Sequence, residues 1–174
     1  MGGIGRVLAR MAHCGFNMKI LYHNRHRAAG DIEQSIGGAE YYKDVYEMLP
    51  VCDFVVLLAP STPETYKMFG KKEFSRMKQS AIFVNVSRGT LVDHDALVSA
   101  LEEGVIKGAG LDVTDPEPLP RDHKLLTLTN VVLTPHIGSA TAQTRLKMMQ
   151  VVVDNIEAVL NDKPMVAEVQ LPKV

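Results

Sequence analysis

The chain has 174 residues, a formal net charge of −1 and a composition that is 46% hydrophobic. One domain with a real core fits this length. The near balance of 19 basic and 20 acidic side chains argues against a nucleic-acid partner, and the lack of a long apolar run or signal-peptide pattern argues against a membrane partner. The two cysteines, Cys14 and Cys52, each lie in an apolar stretch, which predicts two small buried side chains in a reducing compartment.

Helical and strand patterns alternate along the chain. The predicted order is a helix over Ile4–Gly15, strands over Lys19–His23, Phe54–Ala59 and Ile82–Val86, a helix over Asp93–Glu103, strands over Gly108–Val113 and Val131–Thr134, and a helix over Ala142–Leu160. The strands are rich in Val, Ile and Leu and show little polar alternation, which is typical of parallel strands covered on both faces. The helices are amphipathic, so the alternation predicts an α/β fold with a doubly wound parallel sheet in a single domain, residues 1–174.

The chain opens with Met-Gly-Gly-Ile-Gly and continues directly into the first predicted helix. In the pattern G-x-G-x-x-G, Gly2 takes the second glycine position and Gly5 the third, whereas the register that starts at Gly3 would place Leu8 where close packing needs glycine. We therefore expect a Rossmann-type domain that is incomplete at its N-terminus and lacks its first strand. A glycine-rich turn without a ligand is the alternative. The residues predicted to approach a dinucleotide pyrophosphate are Gly2, Gly3, Ile4 and Gly5.

The second predicted strand ends in the segment Tyr-His-Asn-Arg-His-Arg, residues 22–27. A domain of this kind that binds NAD carries an acidic side chain here, on the ribose 2′-hydroxyl, and this segment has none. Arg25 and Arg27 have guanidinium groups that match phosphate oxygens, so together with Asn24 they favour NADP(H), with NAD(H) or a merely solvated basic loop as alternatives. We expect no metal site at His23 and His26, because no further ligand pattern lies nearby.

Three segments place polar side chains directly after predicted strands. They are NVSRG at residues 85–89, GLDV at 110–113 followed by Glu117, and TPHIG at 134–138. Because ligands of open α/β sheets bind beyond the carboxyl ends of the strands, we expect Arg88, Glu117 and His136 at one crevice. Taken singly, they could be a surface arginine, a turn residue and a histidine near the core. Together with the glycine start they favour a functional site.

The order NVSRG, GLDV with PEP, and TPHIG resembles the D-isomer-specific 2-hydroxyacid dehydrogenase family, from Gly2 to Leu171, and is most similar to its glyoxylate/hydroxypyruvate reductases. Ser61 departs from the leucine that is usual there. The resemblance implies a cytoplasmic NAD(P)H-dependent oxidoreductase that converts a small 2-oxo acid to the D-2-hydroxy acid. It also implies a homodimer in the full-length protein and a substrate domain outside these 174 residues, so residues 1–174 alone are expected to be inactive.

The resemblance also implies the roles of single residues. Arg88 holds the 2-oxo acid through a forked pair, and His136 gives a proton to the carbonyl oxygen. Glu117 bonds the other imidazole nitrogen and favours the charged ring, while Asp112 positions the nicotinamide end. The remaining expected cofactor contacts are Pro60, Thr65, Val86, Ser87, Arg88, His136 and Gly138.

Two alternatives of other classes stay open at this point. Transcriptional corepressors that resemble this family bind the dinucleotide and act as interaction modules, and they can retain the same arginine, glutamate and histidine. A partial gene product without function is the other alternative. Turnover of glyoxylate with NADPH would discriminate the reductase from both.

Overall fold

The computed structural model describes residues 1–168, so the far end of the family resemblance at Leu171 lies outside the described residues. The chain forms two compact units, Met1–Pro135 and a second unit that begins at His136. None of the helices in residues 1–168 is both long and apolar enough to cross a membrane.

The first unit contains six strands and five helices among the described residues. They are α1 (Gly3–Phe16), β1 (Leu21–His23), α2 (Gly30–Ser35), β2 (Glu40–Tyr42), α3 (Val45–Met48), β3 (Phe54–Leu57), α4 (Lys71–Phe74), β4 (Ile82–Asn85), α5 (His94–Glu102), β5 (Gly108–Leu111) and β6 (Val131–Leu133). The second unit contains α6 (Ala142–Leu160). The alternation of strands and helices confirms the predicted α/β fold.

All strand pairs are parallel and fall into two sheets. One sheet pairs β1 with β2, and the other has the order β3-β4-β5-β6. A Rossmann sheet has the strand order 3-2-1-4-5-6, which without strand 1 divides into groups of two and three strands; the second group here has one strand more. Within the described residues, β1 therefore pairs only with β2 and β3 only with β4.

The larger core belongs to the four-stranded sheet. Phe69, Phe74 and Phe83 meet at its centre, with ring centroids 4.8 to 5.2 Å apart, and each is at most 4% exposed. Buried leucine and valine side chains from β3, α5 and β5 surround these rings. The smaller core, beside β1, consists of the buried residues Ala9, Tyr22, Ile36 and Ala39. The hydrophobic burial that stabilises the unit is therefore concentrated around β3 to β6.

The prediction that the strands are covered on both faces is wrong for β3. Phe54 is 50% exposed and Val56 is 37% exposed, while the alternate residues Val55 and Leu57 are buried. The face of β3 that carries Phe54 and Val56 therefore lacks cover from the described residues, and so does Val132 of β6, which is 69% exposed. The apolar side of α1 is also open to solvent, with Ile4 75% exposed.

Local signals placed the ends of the three predicted helices, α1, α5 and α6, to within one residue. Asp93 caps α5 by accepting a hydrogen bond from the Ala96 amide at 3.2 Å, and Gly104 follows the helix with φ +66°. The limits of α6 are those predicted. The short elements α2, β2, α3 and α4 were not predicted, and the expectation of two buried cysteines is wrong for Cys14, which is exposed near the end of α1.

Candidate active site

The start of α1 leaves room for a ligand at its glycines. A Cβ atom at Gly2 or Gly3 would meet nothing within 4 Å, whereas one at Gly5 would lie 3.2 Å from Met1 Cγ and 3.8 Å from Leu58 Cδ1. The open space at Gly2 and Gly3 and the close contacts at Gly5 match the roles of these positions in the pattern G-x-G-x-x-G. The first turn of this 14-residue helix has no acidic side chain, so its free N–H groups can face an anion.

The two arginines after β1 lie in different surroundings. Arg27 makes a bidentate ion pair with Glu33 of α2, from Nε to Oε1 and from Nη2 to Oε2, both at 2.9 Å. Arg25 is exposed, and its backbone N–H donates to Oδ1 of Asn24 at 3.0 Å. Both arginines of the predicted phosphate-binding pair are exposed, Arg27 with 65% of its side chain, but only Arg27 is paired with the protein's own carboxylate.

His23 and His26, expected to face solvent, are both exposed, and Nδ1 of His23 lies 3.0 Å from the Tyr42 carbonyl oxygen.

The loop after β3 is held by the hydroxyl group of Thr65. This group donates to the Pro60 carbonyl at 2.7 Å and accepts from the Thr62 amide at 2.8 Å. Ser61 lies 2.8 Å, oxygen to oxygen, from Thr90, which follows the catalytic-loop candidate Arg88 by two residues. The departure from leucine at Ser61 thus gives a polar link between the loops after β3 and β4. The predicted cofactor contacts of Pro60 and Thr65 stay predictions.

The loop that carries Arg88 is built on a buried amide. The Asn85 side chain is fully buried; its Nδ2 donates to the Arg88 carbonyl at 2.9 Å, and its Oδ1 accepts from the Ser87 amide at 3.0 Å. The Ser87 hydroxyl donates to the Leu57 carbonyl at 2.7 Å, which ties the loop to β3. Arg88 itself is exposed, with one guanidinium N–H donating to the Ser87 carbonyl at 2.6 Å, and Val86 is 47% exposed.

Asn85 was not predicted as a site residue. The signal that could have found it is an amide side chain inside an otherwise apolar strand. An unpaired buried amide is costly, and the loop satisfies both of its ends.

Gly89 brings the loops after β4 and β5 together. A Cβ at this position would overlap the backbone of Thr114 and approach that of Asp115, so only glycine lets the two loops touch. Glu117 lies two residues beyond Asp115, on an exposed stretch. The Arg88 loop and the segment that leads to Glu117 thus meet at the carboxyl ends of neighbouring strands, while a shared crevice for the two side chains stays a prediction.

The ends of β5 and β6 are joined by a second contact. Oδ1 of Asp112 accepts a hydrogen bond from the Thr134 hydroxyl at 2.6 Å, and the Asp112 amide donates to the Asn85 carbonyl at 3.0 Å. Asp112 is half-buried, and this fixes its carboxylate at the edge where three strands end.

His136 opens the second unit of the chain. It is exposed and has φ +53°, a conformation that few non-glycine residues adopt, and Ile137 after it is 47% exposed. A histidine buried near the core is therefore excluded, while the predicted pairing of His136 with Glu117 and the cofactor contact of Gly138 stay predictions.

Comparison with protein families gives a match to the family described as D-isomer specific 2-hydroxyacid dehydrogenase, NAD binding domain, over residues 1–138. Glyoxylate/hydroxypyruvate reductase B of Escherichia fergusonii is 50% identical over 160 residues, which are 92% of this chain and 48% of that protein. The chain spans about half the length of the curated relatives it matches.

Solved structures give the same family. An NADPH-dependent glyoxylate/hydroxypyruvate reductase from Sinorhizobium meliloti, in complex with NADP and malonate, is 35% identical with a TM-score of 0.88, over 97% of this chain and 50% of that one. D-lactate dehydrogenase with NAD⁺ from Lactobacillus jensenii is 30% identical with a TM-score of 0.87, over 98% of this chain and 54% of that one. One similar structure thus holds NADP and the other NAD⁺.

Proposed function

Because the chain belongs to the D-isomer specific 2-hydroxyacid dehydrogenase family through its NAD-binding domain, we propose that it forms the cofactor-binding and catalytic half of an NADP(H)-dependent reductase. Its substrates would be small 2-oxo acids of the glyoxylate and hydroxypyruvate type, and its products the 2-hydroxy acids, of D configuration where the carbon is chiral. The observation that supports this most is the convergence of the Arg88 loop with the segment leading to Glu117, which depends on Gly89. The named activity of relatives such as the Escherichia fergusonii reductase agrees with it.

The residues present fit a nicotinamide dinucleotide. The open space at Gly2 and Gly3 and the acid-free start of α1 suit a pyrophosphate, and the exposed guanidinium of Arg25 suits a 2′-phosphate. We propose that Asn24 shapes the same loop and that the backbone around Val86 and Gly138 lines the nicotinamide end, with Pro60 and Thr65 between. When bound, the reduced nicotinamide supplies the hydride for the substrate carbonyl.

The chain's own residues would do the rest. Arg88 would bind the carboxylate and carbonyl oxygens of the 2-oxo acid through its guanidinium fork. His136 would donate a ring proton to the carbonyl oxygen as that oxygen becomes an alkoxide, and Glu117 would accept a hydrogen bond from the other ring nitrogen and so fix the tautomer. Asp112, held by Thr134, would keep the nicotinamide end in place.

Turnover of NADPH with glyoxylate or hydroxypyruvate by the full-length protein tests the proposal. We expect His136→Ala to lower turnover by about 10²–10⁴, the usual contribution of general acid–base catalysis, and to change the NADPH dissociation constant far less than that. A protein that binds NADPH but reduces neither acid would favour the dinucleotide-sensing module instead. Sedimentation of the same sample tests the homodimer that we also propose.

A further inference from the structure

Glu33 is a buried acid that the proposed reaction does not use. Among residues 1–168 it is the one acidic side chain in the buried class, 7% exposed, although it lies on the short surface helix α2. A buried carboxylate costs free energy unless it is paired and hydrogen-bonded. Its partners therefore indicate what the fold gains from it.

The partners of Glu33 come from the strand and the loop predicted to bind the cofactor. Arg27 meets both carboxylate oxygens at 2.9 Å, and the Tyr22 hydroxyl donates to Oε1 at 2.6 Å. The same hydroxyl accepts the Ala28 amide at 2.8 Å. These bonds tie the end of the loop to the end of β1 and to α2.

The carboxyl group of Glu33 is ionised at any pH at which the protein would work. Hydrogen bonds from Arg27, first, and from Tyr22, second, lower the pKa of the carboxyl to about 2, against the opposing effect of burial. The carboxylate is therefore always present to hold the guanidinium.

Arg25, two residues earlier, is free of such a partner. It is exposed and makes no ion pair within 4 Å among residues 1–168; its charge acts only in a minor way on Glu64, whose pKa is lowered first by Thr62. Its loop is shaped by Asn24, whose carbonyl accepts from the Tyr41 hydroxyl at 3.0 Å.

We propose that Glu33 is a positioning residue that holds Arg27 away from the cofactor, so that Arg25 alone confers the preference for a 2′-phosphate. The Nε–H and one Nη2–H of Arg27 already donate to Glu33, so Arg27 could offer this forked edge to a phosphate only by breaking both charge-assisted bonds and leaving a buried carboxylate without its cation. Arg25 has no such bond to break. This inference rests on the NADP(H) preference of the proposed function.

Dissociation constants of NADPH and NADH, measured on the full-length protein and its variants, test the inference. Arg25→Ala should lower the ratio of the NADH constant to the NADPH constant by about tenfold, which is one charged hydrogen bond discounted for exposure. Arg27→Ala should change that ratio by less than about twofold while lowering the melting temperature, because it leaves Glu33 unpaired. The double variant Arg27→Gln/Glu33→Gln removes both charges of the pair and so leaves no buried charge that could cause misfolding. It should also keep the ratio of the two dissociation constants.

The decisive variant is the double substitution Arg25→Ala/Glu33→Gln. Arg27 then lacks its internal partner and can turn to the phosphate, so the ratio should rise several-fold above that of Arg25→Ala alone. A Glu33 with a merely structural role would give no such rescue, and a ratio equal to that of Arg25→Ala would overturn the inference. A preference that survives Arg25→Ala but is lost with Arg27→Ala would overturn it too. Equal affinities in the unmodified protein would instead overturn the proposed NADP(H) preference and this inference with it.

Discussion

Two regions of the first unit differ in how firmly they are built. The four-stranded region, Phe54–Pro135, surrounds three packed phenylalanine rings, and its loops are joined through buried groups such as Asn85. The N-terminal region, Met1–Tyr42, has a small apolar core, and its buried acidic side chain, Glu33, is held by an ion pair with Arg27. The first is stabilised mainly by apolar burial, the second largely by polar contacts between a loop and its neighbours.

This difference corresponds to the different roles that the two regions have in the proposed function. The four-stranded region carries Arg88 and Glu117, whose geometry toward a reacting carbonyl must be precise. The N-terminal region carries Arg25, which in the proposed function selects NADP(H) by its charge and tolerates a looser frame. We therefore expect that substrate chemistry and cofactor choice can be changed separately in this domain.

The largest stability difference between the regions should appear at Phe83. Phe83→Ala is expected to lower the free energy of unfolding of the full-length protein by about 3–5 kcal/mol, because it removes a fully buried ring that contacts two others. The matched control Val132→Ala, at a side chain 69% exposed, should cost less than about 0.5 kcal/mol. Denaturant unfolding measures both, and a loss at Phe83 no larger than that at Val132 would remove the claim that apolar burial stabilises the four-stranded region.

A smaller effect is expected at the contact between the catalytic loops. Gly89→Ala should cost about 1–3 kcal/mol and lower turnover, because its methyl group would overlap the Thr114 backbone and push the two loops apart. Gly15→Ala, where a Cβ meets nothing within 4 Å in helix α1, should be neutral or stabilising by about 0.5–1 kcal/mol. Equal turnover in the two variants would show that the loops do not need this contact.

The smallest effect concerns His94, buried at the start of α5. Burial lowers its pKa first, and the neighbouring His123 lowers it further, against weaker opposing effects of Asp115 and Asp93. The unfolded chain therefore binds this proton more readily, so stability should fall as the pH drops below about 6.5, the ordinary histidine value. His94→Gln should flatten that dependence, while His26→Gln, at an exposed ring, should leave it as it is. Superimposable profiles for the His94 variant and the unmodified protein would refute this.

The sequence predicts what depends on neighbours along the chain. Asp93 and Gly104 mark the ends of α5 because caps are local, and α6 matches its apolar period over its whole length. Strand β2 was not predicted because its segment, Glu-Tyr-Tyr, contains no apolar run. It is a strand because it pairs with β1. The exposure of Cys14 depends on what packs against α1, which a local pattern does not contain.

The candidate site likewise has features that the sequence predicts and features that it does not. Arg88 and Glu117 follow strands, and parallel strands bring their carboxyl ends together, so the convergence of their loops was predictable. The pairing of Arg27 with Glu33 was not, since it depends on where α2 returns beside the loop. The sequence around Gly89 does not indicate that this position requires glycine. The requirement comes from the backbone of Thr114, which is distant along the chain.

The central claim is that cofactor choice and catalysis lie in separate regions of one reductase domain. Steady-state kinetics of glyoxylate reduction by the full-length protein, with NADPH and with NADH, tests it in Arg25→Ala and Arg88→Ala. Arg88→Ala should lower kcat/KM for glyoxylate by about 10²–10⁴ with either cofactor, as expected for loss of two charged hydrogen bonds, and leave the NADPH-to-NADH ratio unchanged. Arg25→Ala should change that ratio and leave turnover with NADH intact. A cofactor ratio altered by Arg88→Ala, or NADH turnover abolished by Arg25→Ala, would contradict the separation.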